Sequence, residues 1–169
     1  TGNYTFIEAA AGRTLAVILG KMKGNHYRSW LLYQLMLGSM NRRIANVRTP
    51  HDWLSRNTDI VDAYEKDELC QFRFTTSACN DLFQILAELA AKKYFERIPK
   101  LLPILIASGK EDPVGQYGKG VQKVYEQFKD LGIRDLEIKL YDEMRHELLN
   151  EIGREEIYQD ILSWLERRF

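Results

Sequence analysis

The chain has 169 residues, 45% hydrophobic and 28% charged, an ordinary globular balance that excludes a disordered chain. Its 24 basic residues cancel its 24 acidic ones, so the broad positive footprint of a nucleic-acid binder is missing and small-molecule chemistry is the better expectation. The apolar stretch Leu15 to Leu19 falls far short of the roughly 20 residues of a membrane helix and follows no basic leader, so a cytoplasmic protein is expected.

The first half reads as several helices. After Thr1-Gly2-Asn3, which looks like a sequence entered midway, Ala9 to Ala11 and then Leu15, Ile18, Leu19 and Met22 recur at three- and four-residue spacing. Gly24-Asn25 breaks this helix, and a greasier one runs from Trp30 to Leu37 and ends near Gly38. Its stripe suits a core helix or the wall of an acyl pocket. Arg42, Arg43 and Arg48 with His51 form a basic cluster, either a solvated helix end or a partner for a phosphate. Arg48-Thr49-Pro50 is another break, and Leu82 to Tyr94 is an amphipathic helix that Ile98-Pro99 stops. Cys70 and Cys79 lack metal-ligand spacing and are expected to be buried free thiols, and His26 is expected on the surface.

The texture changes near Arg97 to Pro99. Pro103 to Ala107 is a short apolar run closed by Ser108-Gly109, the pattern of a strand buried on both faces. Tyr117, Val121, Val124, Tyr125 and Phe128 then recur at helical spacing, and Gly132 supplies the stop. A strand follows from Leu136 to Tyr141. The chain closes as a helix from Arg154 to Arg167, with Ile157, Ile161, Leu162, Trp164 and Leu165 inward. Strand, helix, strand, helix implies an α/β fold with a parallel sheet covered by helices.

Parallel sheets bind ligands outside the carboxyl ends of their strands, which directs attention to the loops after Ala107 and Tyr141. The first carries Glu111 and Asp112, the second His146. A carboxylate after one strand and an imidazole after the next can meet at the sheet edge, where the acid fixes the tautomer of a general base. Taken singly, each has a plainer role: Asp before Pro starts turns, and a His before a helix is often structural. Glu111 rivals Asp112, but neighbouring side chains on a loop point different ways, and position and order favour Asp112. Gly115, Gly118 and Gly120 imitate a phosphate loop without the Gly-Lys-Ser or Gly-Lys-Thr that would complete it, and instead ease entry into the next helix.

The run PILIASGKEDPVGQYGKGVQKVYEQFKDLGIRDLEIKLYDEMRHELLNE, from Pro103 to Glu151, resembles the terminal portion of α/β-hydrolases of the monoacylglycerol lipase, lysophospholipase and serine aminopeptidase-like group. DWLSRN (Asp52 to Asn57) and FTTSACNDLF (Phe74 to Phe83) resemble the cap region inserted before those strands. The resemblance implies the C-terminal part of an α/β-hydrolase fold with a helical cap. Residues 1–97 would be the end of a core strand, at Thr1-Gly2, followed by the cap, and residues 98–169 would belong to the core. It assigns the triad acid to Asp112 and the triad histidine to His146. The Gly-x-Ser-x-Gly elbow that carries the nucleophile in that family does not occur here. Gly38-Ser39-Met40-Asn41 lacks its spacing and its preceding strand, so the nucleophile is expected upstream of Thr1.

The expected function is therefore hydrolysis of carboxylic esters, lipid-like monoacyl esters first, with no cofactor and no metal. Expected partners are the ester substrate, a transiently touched membrane surface, and the upstream half of the protein or a partner chain that completes the sheet. This chain alone is expected to be inactive. A peptidase or amidase of the same fold and a binding module that has lost catalysis are the alternatives; an upstream Gly-x-Ser-x-Gly motif discriminates enzyme from module.

Overall fold

The computed structural model describes residues 5–90 and 95–168. The strand end expected at Thr1-Gly2 and the last turn of the helix expected to reach Tyr94 lie outside them. By packing, the chain divides into two compact units: residues 5–39 with 68–90 and 95–97, and residues 40–67 with 98–168. Among the described residues no helix is long and apolar enough to cross a membrane.

The first unit is helical. Helix α1 (Phe6–Lys23) opens with a capping box, in which the Thr5 hydroxyl accepts from the Glu8 amide (3.2 Å) and Glu8 accepts from the Thr5 amide (3.0 Å). Gly24, at φ 93°, ends it where the sequence places the break. Helix α2 (Trp30–Leu37) starts at the Ser29 cap and stops at Gly38, as expected. The helix expected from Leu82 starts six residues earlier, because the Thr75 side chain caps the Ala78 amide (3.2 Å); this helix, α4, spans Thr76–Leu89. Ala16, Leu32, Cys79 and Phe83 form the core between α1, α2 and α4, with Leu15, Leu19, Met36 and Leu86 packed on it. Gly12 is required by that packing, since a Cβ there would sit 2.5 Å from the Phe83 ring. The thiol of Cys79 is buried, that of Cys70 half-buried, and His26 is exposed.

The second unit holds the sheet. Helix α3 (Thr58–Lys66) follows the Asp52 to Asn57 loop, and strands β1 (Ile104–Gly109) and β2 (Leu136–Tyr141) pair in parallel, from Ile104 opposite Leu136 to Gly109 opposite Tyr141. Parallel neighbours need a crossover, supplied by α5 (Lys119–Asp130), which Gly132 ends at φ 79°. Tyr117 is not part of that helix: it precedes the Gly118 cap with φ 56°. Helix α6 (Arg154–Glu166) closes the unit.

Two burial expectations are corrected. Ile104 to Ala107 are half-buried rather than buried on both faces, because in the described sheet β1 is flanked by β2 alone. Leu162 and Leu165 of α6 are exposed, whereas Ile157 is fully buried and Ile161 packs with it on Tyr141 and Met144. At roughly 100° per residue, Ile157, Ile161 and Trp164 share a narrow arc, and Leu165 and Leu162 turn progressively away from it.

Candidate active site

The register that pairs Gly109 with Tyr141 ends both strands at the same level, so the loops leaving them lie side by side. Their backbones interlock: the Lys110 amide donates to the Tyr141 carbonyl (2.8 Å) and the Glu111 amide to the Met144 carbonyl (2.9 Å). Only glycine fits at the crossing point, because a Cβ on Gly109 would stand 2.0 Å from the Met144 oxygen and 2.4 Å from that of Arg145. Gln116, Tyr117 and Glu143, in the two loops, take positive φ values of 52–56°, which non-glycine residues adopt only when their surroundings impose it.

This frame brings together two of the three residues weighed from the sequence. The Asp112 side chain, 4% exposed, meets His146 Nδ1 through Oδ1 at 3.1 Å. The same oxygen accepts the Val114 amide (2.8 Å), and Oδ2 lies 3.4 Å from the Ser108 hydroxyl. Gly115 permits this closeness, since a Cβ there would approach Asp112 Oδ2 to 3.2 Å and Ser108 Oγ to 3.1 Å. Burial pushes the Asp112 carboxyl up, but the hydrogen bond and charge of His146 and the amides of Val114 and Gly115 outweigh it and hold the carboxyl below its ordinary range. Glu111 goes elsewhere: half-exposed, it faces the Arg145 guanidinium at 3.9 Å.

A carboxylate held ionised against Nδ1 accepts a hydrogen bond from the Nδ1–H, which fixes the tautomer that leaves the imidazole lone pair on Nε2. That is the arrangement of a general base. The Trp53 indole lies against the His146 ring, with centroids 5.2 Å apart at 47°, and is itself 7% exposed. Trp53 was missed from the sequence, as were Arg145 and Glu151, which bind the loop of Trp53 to that of His146. Ser39 follows helix α2 rather than a strand, so no elbow surrounds it.

Three of the four residues of the basic cluster have partners of their own. Arg43 lies 3.8 Å over the Tyr117 ring, Arg48 pairs with Asp62 (2.9 Å), and His51 Nδ1 lies 2.9 Å from Glu65. Such contacts fit the solvated reading better than a phosphate site. Among the described residues, no three His, Cys, Asp or Glu side chains gather to hold a metal ion.

The family description "Serine aminopeptidase, S33" matches residues 6–153. Among solved structures, a thermostable carboxyl esterase from Bacillus coagulans, solved with glycerol, is 27% identical with a TM-score of 0.81 over 98% of this chain and 54% of its own. The monoacylglycerol lipase of Paleococcus ferrophilus is 25% identical with a TM-score of 0.61, over 90% of this chain and 50% of its own. A lipase in its open form, at 23% identity and a TM-score of 0.83, shares the fold over 99% of this chain and 54% of its own. The chain thus spans about half the length of the structures it matches. No curated protein matches it.

Proposed function

We propose, given that this chain belongs to the Serine aminopeptidase, S33, family and has the fold of the α/β-hydrolases, that it carries the acid and the base of a serine hydrolase acting on carboxylic esters. The observation that supports this best is the buried Asp112 carboxylate on His146 Nδ1, at the carboxyl ends of two adjacent parallel strands. His146 Nε2 takes the proton of a serine hydroxyl as its oxygen attacks the ester carbonyl, then returns that proton to the departing alcohol. Water, deprotonated by the same nitrogen, frees the acid and restores the serine. The serine and the oxyanion-hole amides lie upstream of Thr1, in the part of the protein that completes the sheet, and the 169 residues alone are inactive. The cap is proposed to lie within residues 1–97, ahead of the core residues 98–169.

Lipid-like monoacyl esters are the proposed substrates, supported by the likeness to a carboxyl esterase and a monoacylglycerol lipase. A peptidase or amidase is the second reading, favoured by the family description itself. Leu35, 61% exposed on α2, is proposed to touch the acyl chain, whereas Met36 packs into the helical core. The test is turnover by the nucleophile-bearing protein of acetate esters, long-chain monoacyl esters and aminoacyl amides. Esters should be cleaved and amides spared, and Leu35→Glu should lower long-chain turnover about tenfold more than acetate turnover, the size expected for losing a methylene or two of apolar contact. Efficient cleavage of amides with none of esters would overturn the ester assignment, and equal losses on both chain lengths would give Leu35 a packing role.

A further inference from the structure

The Glu151 side chain is completely buried, at 0% exposure. A buried carboxylate is costly unless its lone pairs are satisfied, and removing its partners costs more still. Here the satisfaction comes from the backbone. Oε1 accepts the amides of Arg145 and Arg56, both at 2.9 Å, and Oε2 accepts the amide of Ile152 at 3.1 Å, with the Arg56 guanidinium 3.7 Å away.

Arg145 immediately precedes His146, and Arg56 lies three residues after Trp53. One carboxylate oxygen therefore grips both loops. Arg145 closes the joint from the other side, its guanidinium donating to the carbonyls of Asp52 (2.7 Å) and Ser55 (3.1 Å). The Glu147 amide adds a bond to the Leu54 carbonyl (2.8 Å), and the Ser55 hydroxyl one to the Asn150 carbonyl (3.2 Å). The residues on either side of His146 are thus tied to the segment that holds Trp53.

We propose that Glu151, with Arg145 opposite it, is a positioning residue for His146: its buried carboxylate clamps the histidine loop to the 52–56 loop and so keeps the imidazole on Asp112 and against Trp53. Neither residue touches the reacting atoms. The inference rests on reading His146 as the general base. Its energetic logic is that neutralising the fully buried carboxylate weakens its hold on the two loop amides and turns an NH2 group on the Ile152 amide, shortening it releases both loops, and a small displacement of a base costs far more in turnover than in binding.

The test uses the nucleophile-bearing protein. Glu151→Gln should lower kcat about 10- to 100-fold while KM stays within about twofold, and should broaden the low-field proton resonance of the His146–Asp112 hydrogen bond. Arg168→Gln is the stability control: Arg168 pairs with Asp135 at 2.6 Å, at the opposite end of the strands, and its loss should lower the melting temperature without changing kcat or that resonance. If Glu151→Gln does not fold, Arg145→Lys keeps the charge but, being shorter, withdraws the Nη1 nitrogen that donates to both carbonyls, and should show the same kcat-selective loss. A folded Glu151→Gln with wild-type kcat and resonance would overturn the proposal. So would a kcat loss that merely tracks melting temperature across Glu151→Gln and Arg168→Gln, or, where only Arg145→Lys folds, an unchanged kcat. Full activity in Asp112→Asn and His146→Ala would instead defeat the underlying reading of the site; dead Asp112 and His146 variants beside a normal Glu151→Gln defeat this inference alone.

Discussion

Replacing His146 by Ala, or Asp112 by Asn, in the nucleophile-bearing protein should lower ester turnover by about three to four powers of ten without unfolding the protein. The two losses arise differently. Without His146 no group takes the serine proton. With Asn at 112 the side-chain amide can donate to Nδ1, which moves the imidazole proton to Nε2 and leaves the base in the wrong tautomer. Glu111→Gln provides the contrast. Its carboxylate is half-exposed and 3.9 Å from Arg145, an arrangement of small energetic weight, so turnover should stay within about threefold. The measurement is kcat and KM on one chromogenic ester for all three variants, with thermal melts alongside. A crippled Glu111→Gln beside an active Asp112→Asn would reverse the choice of acid.

Gly109→Ala should be the most damaging single methyl group in the sheet unit. Its Cβ would lie 2.0 Å from one carbonyl oxygen and 2.4 Å from the next, both backbone atoms that cannot rotate aside. Relief requires pulling the histidine loop off the end of β1, with loss of the bonds from Lys110 to Tyr141 and from Glu111 to Met144. Overpacking of this kind costs on the order of 3 kcal/mol, and the displaced loop carries His146 with it, so activity should fall together with stability. Gly132→Ala separates this from a generic glycine effect. At Gly132 a Cβ meets nothing within 4 Å, and only the φ of 79° is unfavourable, a cost of about 1–2 kcal/mol. Thermal melts and ester turnover of both variants check the point; a Gly109→Ala protein that melts and turns over like the wild type would contradict the interlocked loops.

The sequence was most legible where glycine and proline punctuate it. Gly24 and Gly132 end α1 and the crossover helix at positive φ, Gly38 ends α2, and Pro103 and Gly109 bracket the first strand, because a positive φ, a missing amide proton or a missing Cβ is a local demand that a single residue announces. Asp112 and His146 were legible because strand order puts the two loops together. Burial was read less well. Leu162 and Leu165 sit among apolar neighbours in sequence yet turn away from the arc of Ile157, a distinction of angle that composition does not carry. The start of α4 was missed because Ser77, Cys79 and Asn80 dilute the apolar period that identifies a helix, while the Thr75 cap acts alone.

Glu151 was the least legible residue of the site. A glutamate one residue before an Ile-Gly pair, near the start of a helix rich in Glu155 and Glu156, has the sequence signature of an exposed acid. Its burial follows from amides 6 and 95 residues away, which periodicity cannot see. Trp53 escaped for a similar reason: it belongs by sequence to a loop remote from the strands, and its contact with His146 exists only once the backbone bonds between the two loops have formed.

The central claim, that His146 activates a serine outside these 169 residues, is tested most directly by labelling the longer protein with a fluorophosphonate and mapping the modified residue by mass spectrometry. The expected result is one labelled serine upstream of Thr1, with labelling lost in His146→Ala although that variant still melts as a folded protein. A label on Ser29, Ser39, Ser55, Ser77, Ser108 or Ser163, or labelling of His146→Ala at the wild-type rate, would contradict it.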